Sequence, residues 1–111
     1  MFFGRLATQG KIKPAQVNDM LINKEDFILI DVRTQGEYVS GHIKGSQLLP
    51  LDMITNGIEK MVPDKNKKIV VYCQSGARSS QAARILSQLS YTDVSNLGGI
   101  MSWPFGVVGG R

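Results

Sequence analysis

Short apolar runs along the chain predict four strands. Residues 27–30 and 68–72 are continuous and rich in isoleucine and valine, which is typical of strands buried on both faces of a parallel sheet. Residues 46–49 and 94–97 are shorter runs beside turn residues, and they predict two further strands.

Segments with apolar residues at helical spacing lie between these runs. The spacing predicts helices over residues 14–21, 51–61 and 78–89, and a shorter one over 35–40 that Gly41 closes. Strands and helices therefore alternate, which predicts an α/β domain with a mainly parallel sheet.

The size and charge of the chain narrow the classes of partner. Its 111 residues fit a single domain with one hydrophobic core. The formal net charge is +4, a mild excess that is compatible with attraction of small anions but is more typical of an ordinary solvated surface that is basic. The densest basic cluster, Lys65, Lys67 and Lys68, lies in a predicted turn beside Asp64. Nucleic-acid binding takes a dense basic patch, so we expect no nucleic-acid partner.

Cys73 is the only cysteine and His42 the only histidine. A single cysteine cannot form an internal disulfide and fits a reducing compartment, so we expect a cytoplasmic protein. The same count excludes a multi-cysteine zinc site. No apolar stretch is long enough to span a membrane, and the first five residues lack the apolar region of a signal peptide.

The polar loop after Cys73 carries the chemistry, because it joins a buried strand to an amphipathic helix. Sites in open α/β sheets form outside the carboxyl ends of the strands, where this cysteine falls. Unpaired N–H groups at a helix start favour an anion, Gly76 permits close approach of the backbone, and Arg78 adds a positive charge. Ser75 and Ser79 add hydroxyl donors. We therefore predict that Cys73 is substantially thiolate at neutral pH.

A lone cysteine at the end of a buried strand is otherwise most often a small hydrophobic core residue. Here the residues after Cys73 are polar, include a glycine and lead into a helix, which is a setting that activates a thiol. We therefore favour the functional interpretation over the structural one.

Three segments of the chain form a pattern that extends over about residues 13–103. They are Ile30–Arg33 with Glu37, Tyr38 and Gly41–Ser46; Val71–Ser79 with Ala82 and Ala83; and Tyr91, Val94, Asn96–Gly99 and Trp103. Each segment alone is moderately specific, and all three in this order are highly specific. Together they resemble the rhodanese family.

The resemblance implies a rhodanese-like fold with a central, mainly parallel five-stranded sheet flanked by helices on both faces. It divides the chain into an N-terminal extension (1–12), the rhodanese-like domain (13–105) and a C-terminal tail (106–111). It makes Cys73 the sulfur-bearing nucleophile and implies neither a metal nor an organic cofactor. The residues that it places around the bound sulfur are Gln74, Ser75, Gly76, Ala77, Arg78 and Ser79.

Four residues outside this loop are expected to support it. In the resembling family, residues at the positions of Asp31 and Arg33 brace the loops by ion pairs and hydrogen bonds. Glu37 is a candidate partner for Arg33, because the two are four residues apart. His42 belongs to a structural turn in this resemblance, so we do not assign it as a base for Cys73.

The predicted reaction is the transfer of sulfur through a persulfide on Cys73. The expected donor is a small sulfur-containing anion such as thiosulfate. The expected acceptor is cyanide in vitro, and a thiol or a protein cysteine in vivo. Because the chain has no second cysteine, the acceptor must be external.

Two other classes of function stay open. The domain could be a non-catalytic, rhodanese-fold binding or regulatory module, although such a module is expected to lack the cysteine. It could also be a Cdc25-like phosphatase or an arsenate reductase. Four residues separate Cys73 from Arg78, whereas the loop of those phosphatases has five, and the shorter loop suits a single sulfur atom.

Overall fold

The computed structural model describes residues 9–110, which form a five-stranded sheet with helices on both faces. The first eight residues, where no signal peptide was predicted, and Arg111 lie outside the described part. The strands are β1 (Gln9–Lys11), β2 (Ile28–Asp31), β3 (Gln47–Leu48), β4 (Ile69–Cys73) and β5 (Val94–Gly99). The helices are α1 (Pro14–Ile22), α2 (Gln35–Ser40), α3 (Ile54–Met61) and α4 (Ala77–Gln88), with short 3-10 helices over Leu51–Met53 and Ile100–Ser102.

The sheet has the strand order β1-β5-β4-β2-β3, and every pair of neighbouring strands is parallel. β4 is therefore central, with β5 on one side and β2 on the other. This arrangement confirms the predicted α/β class and the five-stranded, mainly parallel sheet.

Alternate residues of β4 point to two different hydrophobic cores. Ile69, Val71 and Cys73 face the core that α3 and α4 cover, the α4-side core. Val70 and Tyr72 face the core that α1 covers, the α1-side core. All five residues of the strand are buried, which explains why its sequence is continuously apolar. The last two residues of β4 consequently deliver a thiol to one face and a phenol to the other.

Two elements differ from the sequence-based prediction. Strand β1 lies inside the segment assigned as an N-terminal extension, and it pairs with β5 at the edge of the sheet. Its three residues, Gln-Gly-Lys, have no apolar pattern, so only the pairing partner defines them as a strand. The helix predicted over 51–61 is divided into a 3-10 turn and α3, which begins at Ile54.

The C-terminal tail folds back onto the end of α2. His42 and Val108 exchange two backbone hydrogen bonds, with N···O distances of 2.8 and 2.9 Å. The N–H of Gly110 also donates to the carbonyl of Val39. The tail therefore lies beside the carboxyl edge of the sheet. Between residues 9 and 110, no helix has the length and apolar character needed to cross a membrane.

Candidate active site: a cysteine held between β4 and α4

Cys73 is the last residue of the central strand, and its side chain is only 1% exposed. The loop after it turns within three residues, and α4 begins at Ala77. Gly76 has a φ of +112°, a left-handed conformation that glycine adopts without a steric penalty. This turn carries the backbone back over the sulfur atom instead of away from it.

Hydrogen-bond donors of the loop converge on the Cys73 sulfur. The N–H of Gly76 donates to Sγ at 3.0 Å, and the hydroxyl oxygen of buried Ser79 lies 3.6 Å from Sγ. Burial by itself raises the pKa of the Cys73 thiol. The hydrogen bond with the Ser79 hydroxyl and those from the backbone N–H groups of Ser79, Gly76 and Ser75 more than offset burial, so the pKa is lowered overall. The loop therefore favours a negative charge on this sulfur.

Strand β5 supports the loop from behind. β5 contains a bulge, because Val71 pairs with Asn96 while Tyr72 pairs with Gly98. The next residue, Gly99, packs so closely that a Cβ there would lie 2.5 Å from the carbonyl oxygen of Gln74. Only a residue without a side chain fits behind the loop.

Sequence reasoning missed this packing role. It included Gly98 and Gly99 only in the third segment of the family resemblance and gave them no packing role, whereas both belong to β5. Two adjacent glycines at the end of a strand were the available signal, because glycine in a strand often marks a bulge or a close approach of backbones.

Arg33 ties the loop to the neighbouring strand. It is 4% exposed, and its guanidinium makes three hydrogen bonds to the carboxylate of fully buried Asp31, at 2.8 to 3.1 Å. Its Nη1 donates to Oε1 of Gln74 at 3.2 Å, and its Nη2 donates to the carbonyl of Gly41 at 2.6 Å. One side chain therefore connects β2, the end of α2 and the first residue of the loop.

The expected pairing of Glu37 with Arg33 is wrong. Glu37 instead binds Arg78 in a bidentate ion pair, with N···O distances of 2.7 and 3.0 Å. The guanidinium of Arg33 is turned toward Asp31 and Gln74, so spacing along α2 did not decide the partner. The hydrogen bond from Arg78 is the main reason that the pKa of Glu37 is lowered to about 2.

Glu37 also caps its own helix. Its carboxylate accepts from the N–H of Thr34, whose hydroxyl accepts in turn from the N–H of Glu37. This reciprocal pair is a capping box, which fixes the start of α2. The carboxylate is thus held in place before it meets Arg78.

The remaining loop residues form the mouth of the site. Gln74, Ser75 and Ala77 are exposed, whereas the sulfur below them is buried. A cleft of about 510 Å³ opens beside Gln74. It is lined by Arg33, Gly36, Glu37, Ser40, Gly41, Gln74, Ile100 and Val107.

His42 lies in the turn after α2 and contacts Tyr38. The two rings stack with their centroids 3.7 Å apart, and Nδ1 of His42 lies 2.8 Å from the carbonyl oxygen of Tyr38. The turn is held by Tyr72, whose hydroxyl accepts from the N–H of Ile43 at 3.1 Å and lies 2.9 Å from the hydroxyl of Ser46. Sequence reasoning did not single out Tyr72 for this role.

A buried cysteine with hydrogen-bond donors aimed at its sulfur defines the chemical class of the site. Among residues 9–110 no group of three or more histidine, cysteine or acidic side chains is arranged to hold a metal ion. A buried cysteine stands at the carboxyl end of the central parallel strand, with donors aimed at its sulfur. These features define an α/β cysteine-loop protein.

The family follows from comparison with known proteins. The model of the rhodanese-like domain matches residues 13–104, and the chain therefore belongs to the rhodanese-like family. Its enzymatic type is that of a rhodanese sulfurtransferase.

Two relatives and two solved structures illustrate the similarity. Thiosulfate sulfurtransferase PspE of Escherichia coli is 44% identical over 71 residues, which are 64% of this chain and 68% of that protein. A sulfurtransferase of Allochromatium vinosum is 37% identical over 95 residues, 85% of this chain and 87% of that one. A rhodanese with anions from E. coli superposes with a TM-score of 0.71 at 40% identity, covering 75% of this chain and 98% of that one. The rhodanese-like domain of the Alr3790 protein from Anabaena gives 0.81 at 26% identity, covering 91% and 80%.

Proposed function

We propose that this enzyme moves sulfane sulfur from a small anionic donor such as thiosulfate to an external acceptor through a persulfide on Cys73. The observation that carries the proposal is the set of loop donors around the buried Sγ, led by the Gly76 N–H at 3.0 Å. Such donors stabilise a thiolate before transfer and an anionic persulfide after it. The name of the relative PspE, a thiosulfate sulfurtransferase, supports the choice of donor.

The first step is attack of the Cys73 thiolate on the outer sulfur of thiosulfate. A new S–S bond forms at Sγ, the S–S bond of the donor breaks, and its electron pair leaves with sulfite. The thiolate is the reactive form, and the lowered pKa of Cys73 raises its fraction at neutral pH. The product is a persulfide whose terminal sulfur carries the negative charge.

The second step is attack of the acceptor on that terminal sulfur. With cyanide, a C–S bond forms, thiocyanate leaves and the Cys73 thiolate is regenerated. A thiol or a protein cysteine is the acceptor proposed for the cell. Since Cys73 is the only cysteine of the chain, the acceptor has to come from another molecule.

The structure favours sulfur transfer over phosphatase or arsenate reductase chemistry. An arginine that binds a phosphoryl group has to turn its guanidinium into the loop. Arg78 instead directs both terminal nitrogens to Glu37. A purely regulatory module would need no donors on the sulfur, yet here they are present.

The cellular setting is proposed on similar physical grounds. A single reduced cysteine is compatible with the cytoplasm, where thiol acceptors are abundant. Lys65, Lys67 and Lys68 each pair with a carboxylate, of Glu59, Asp26 and Asp93 respectively. We therefore propose small anions and thiols as partners, and no nucleic acid.

Steady-state transfer from thiosulfate to cyanide tests the proposal. The scheme predicts thiocyanate formation with parallel double-reciprocal lines, because sulfite leaves before cyanide reacts. Replacing Cys73→Ser should abolish the reaction, since a serine hydroxyl is not ionised at neutral pH. Turnover that survives in Cys73→Ser would exclude the proposed intermediate.

A further inference from the structure

Both arginines that approach the sulfur loop are occupied by carboxylates. The Arg33 guanidinium is bound to Asp31, and the Arg78 guanidinium is bound to Glu37. Positive charges near the loop are therefore balanced one for one. The donors on the sulfur include the backbone N–H of Gly76, whereas the guanidinium groups of Arg33 and Arg78 are both bound to carboxylates.

Arg78 lies near enough to Cys73 for its charge to act on the sulfur site if the ion pair with Glu37 were broken. Electrostatic attraction to the Cys73 thiolate contributes to its raised pKa, although the hydrogen bond to Glu37 is the main cause. In the ion pair, Arg78 is 34% exposed and Glu37 31%. The guanidinium therefore stands at the rim of the site and not at a distant surface.

Charged side chains line the cavities beside the site. Glu37 and Arg33 both line the cleft beside Gln74, and each is paired with an opposite charge, so an anion that enters there meets no unpaired cation from these two residues. Asp52 lines a second cavity, of about 550 Å³, to which Arg33 and Arg78 also contribute. A donor with two negative charges gives up more hydration than a donor with one when it enters a site without a free cation.

We propose that Glu37 sets donor specificity, by holding Arg78 away from the substrate and thereby favouring singly charged sulfane donors over doubly charged ones. The inference rests on the proposed function and refines it by naming the charge of the preferred donor. Glu37 acts through Arg78 and is a positioning residue. Thiosulfate remains a donor in this scheme, and the donors that Glu37 favours over it are thiosulfonates and organic persulfides, each with a transferable outer sulfur.

The chemistry is the same for both donor charges. With thiosulfate, the Cys73 thiolate forms the new S–S bond and sulfite leaves as a dianion. With benzenethiosulfonate, the same bond forms and benzenesulfinate leaves as a monoanion. Both reactions give the same persulfide and need no oxidant or proton, so a comparison of the two isolates the effect of donor charge.

The test compares the two donors in the intact protein and in Glu37→Gln. Glutamine keeps a side-chain oxygen for the capping box and removes only the charge. The ratio of kcat/KM for thiosulfate to that for benzenethiosulfonate should rise about three- to tenfold, the order expected for one unpaired charge near a partly solvated site. The change should appear in KM for thiosulfate, with kcat little altered, because the reacting atoms stay in place.

A matched control removes the same charge elsewhere. Glu59→Gln breaks the ion pair with Lys65 at the other end of β4, a strand that spans about 13 Å at 3.3 Å per residue. The donor ratio should stay at the wild-type value in this variant. In the double variant Glu37→Gln/Arg78→Gln, the gain should disappear, because the released guanidinium is absent. A gain that persists there, or that Glu59→Gln shares, would overturn the proposal.

A second measurement uses only the wild-type enzyme and does not depend on the folding of a variant. In the wild-type enzyme, KM for thiosulfate should change less than about twofold between low and physiological ionic strength, because Arg33 and Arg78, the two arginines described beside the loop, are both paired with carboxylates. A steep rise with salt would contradict the inference. If neither donor yields a persulfide or thiocyanate, the proposed function itself fails. If both do and Glu37→Gln leaves their ratio unchanged, only the role of Glu37 is wrong.

Discussion

Tyr72 and Cys73 are neighbours on β4, and both are buried, yet their pKa values are shifted in opposite directions. Tyr72 faces the α1-side core, where burial is the main reason that its pKa is raised. Cys73 faces the α4-side core, where burial also acts to raise the pKa but the loop donors lower it overall.

The difference lies in the groups that surround each atom. The Tyr72 hydroxyl has one backbone donor, from Ile43, and the Ser46 hydroxyl, and the negative charge of Asp31 lies nearby. The Cys73 sulfur has several donors, and no carboxylate is among the causes of its pKa shift. The pKa of a buried acidic group is therefore raised or lowered according to the hydrogen-bond donors and charges that surround it.

Arg33 contacts residues on both sides of β4. Of the substitutions considered, its replacement should have the largest effect, a loss of stability. Arg33 lies over the Tyr72 ring, with 5.9 Å from Cζ to the ring centroid, and also donates to Gln74. Arg33→Met would leave the Asp31 carboxylate buried without its partner, which costs about 3–5 kcal/mol. Chemical denaturation should show this loss. A cost below about 1 kcal/mol would mean that the ion pair does not join the two sides.

Gly99→Ala should displace the loop around Cys73 and leave the other side of β4, which carries Tyr72, in place. The new Cβ would meet the Gln74 carbonyl at 2.5 Å and Cα of Ser75 at 2.8 Å, so the loop has to move. We expect kcat/KM to fall about 10²-fold, since displacements near 1 Å at a reacting site have effects of that size.

Gly10→Ala is the matched control for Gly99→Ala, because no described atom beyond its two chain neighbours lies within 4 Å of the Cβ that it would add. It should keep full activity. An active Gly99→Ala enzyme would show that the loop tolerates displacement.

Ser79→Ala should shift the pKa of Cys73 upward, which is the direction in which the pKa of Tyr72 is shifted. Without the Ser79 hydroxyl, the pKa of Cys73 rises, so less thiolate is present at any pH below it. The alkaline-rising limb of the pH–rate profile should shift to higher pH, and the rate at neutral pH should fall about two- to tenfold. Ser80→Ala removes the next hydroxyl on the same helix, which bonds Asn96 instead, and should leave the profile in place.

Tyr72→Phe should have the smallest effect on activity. It removes the partner of the buried Ile43 N–H, which costs about 1–2 kcal/mol of stability. Sulfur transfer should stay within about twofold of the wild type, because the sulfur on the other face keeps its donors. A large loss of kcat would show that the two sides are coupled more strongly than their contacts indicate.

Local patterns in the sequence predict much of the fold and the position of Cys73 at the candidate site. The continuous apolar run of β4 and the polar, glycine-containing loop after it are features of neighbouring residues. Strand β1 was missed because its polar residues acquire a strand conformation only by pairing with β5.

The ion-pair pattern of the site was not predictable in the same way. Glu37 and Arg78 are 41 residues apart, and only the folded sheet brings α2 and α4 together. The i, i+4 rule favoured Arg33 as the partner of Glu37, but buried Asp31 holds that guanidinium through three hydrogen bonds. The packing of Gly99 against the loop likewise depends on tertiary structure.

The central claim is that Cys73 carries sulfur, and intact-mass spectrometry after incubation with excess thiosulfate tests it most directly. We predict a gain of about 32 Da, one sulfur atom, that cyanide or dithiothreitol removes and that Cys73→Ser does not show. An unchanged mass with thiosulfate and with thiosulfonate, or an adduct of the same mass on Cys73→Ser, would contradict the account.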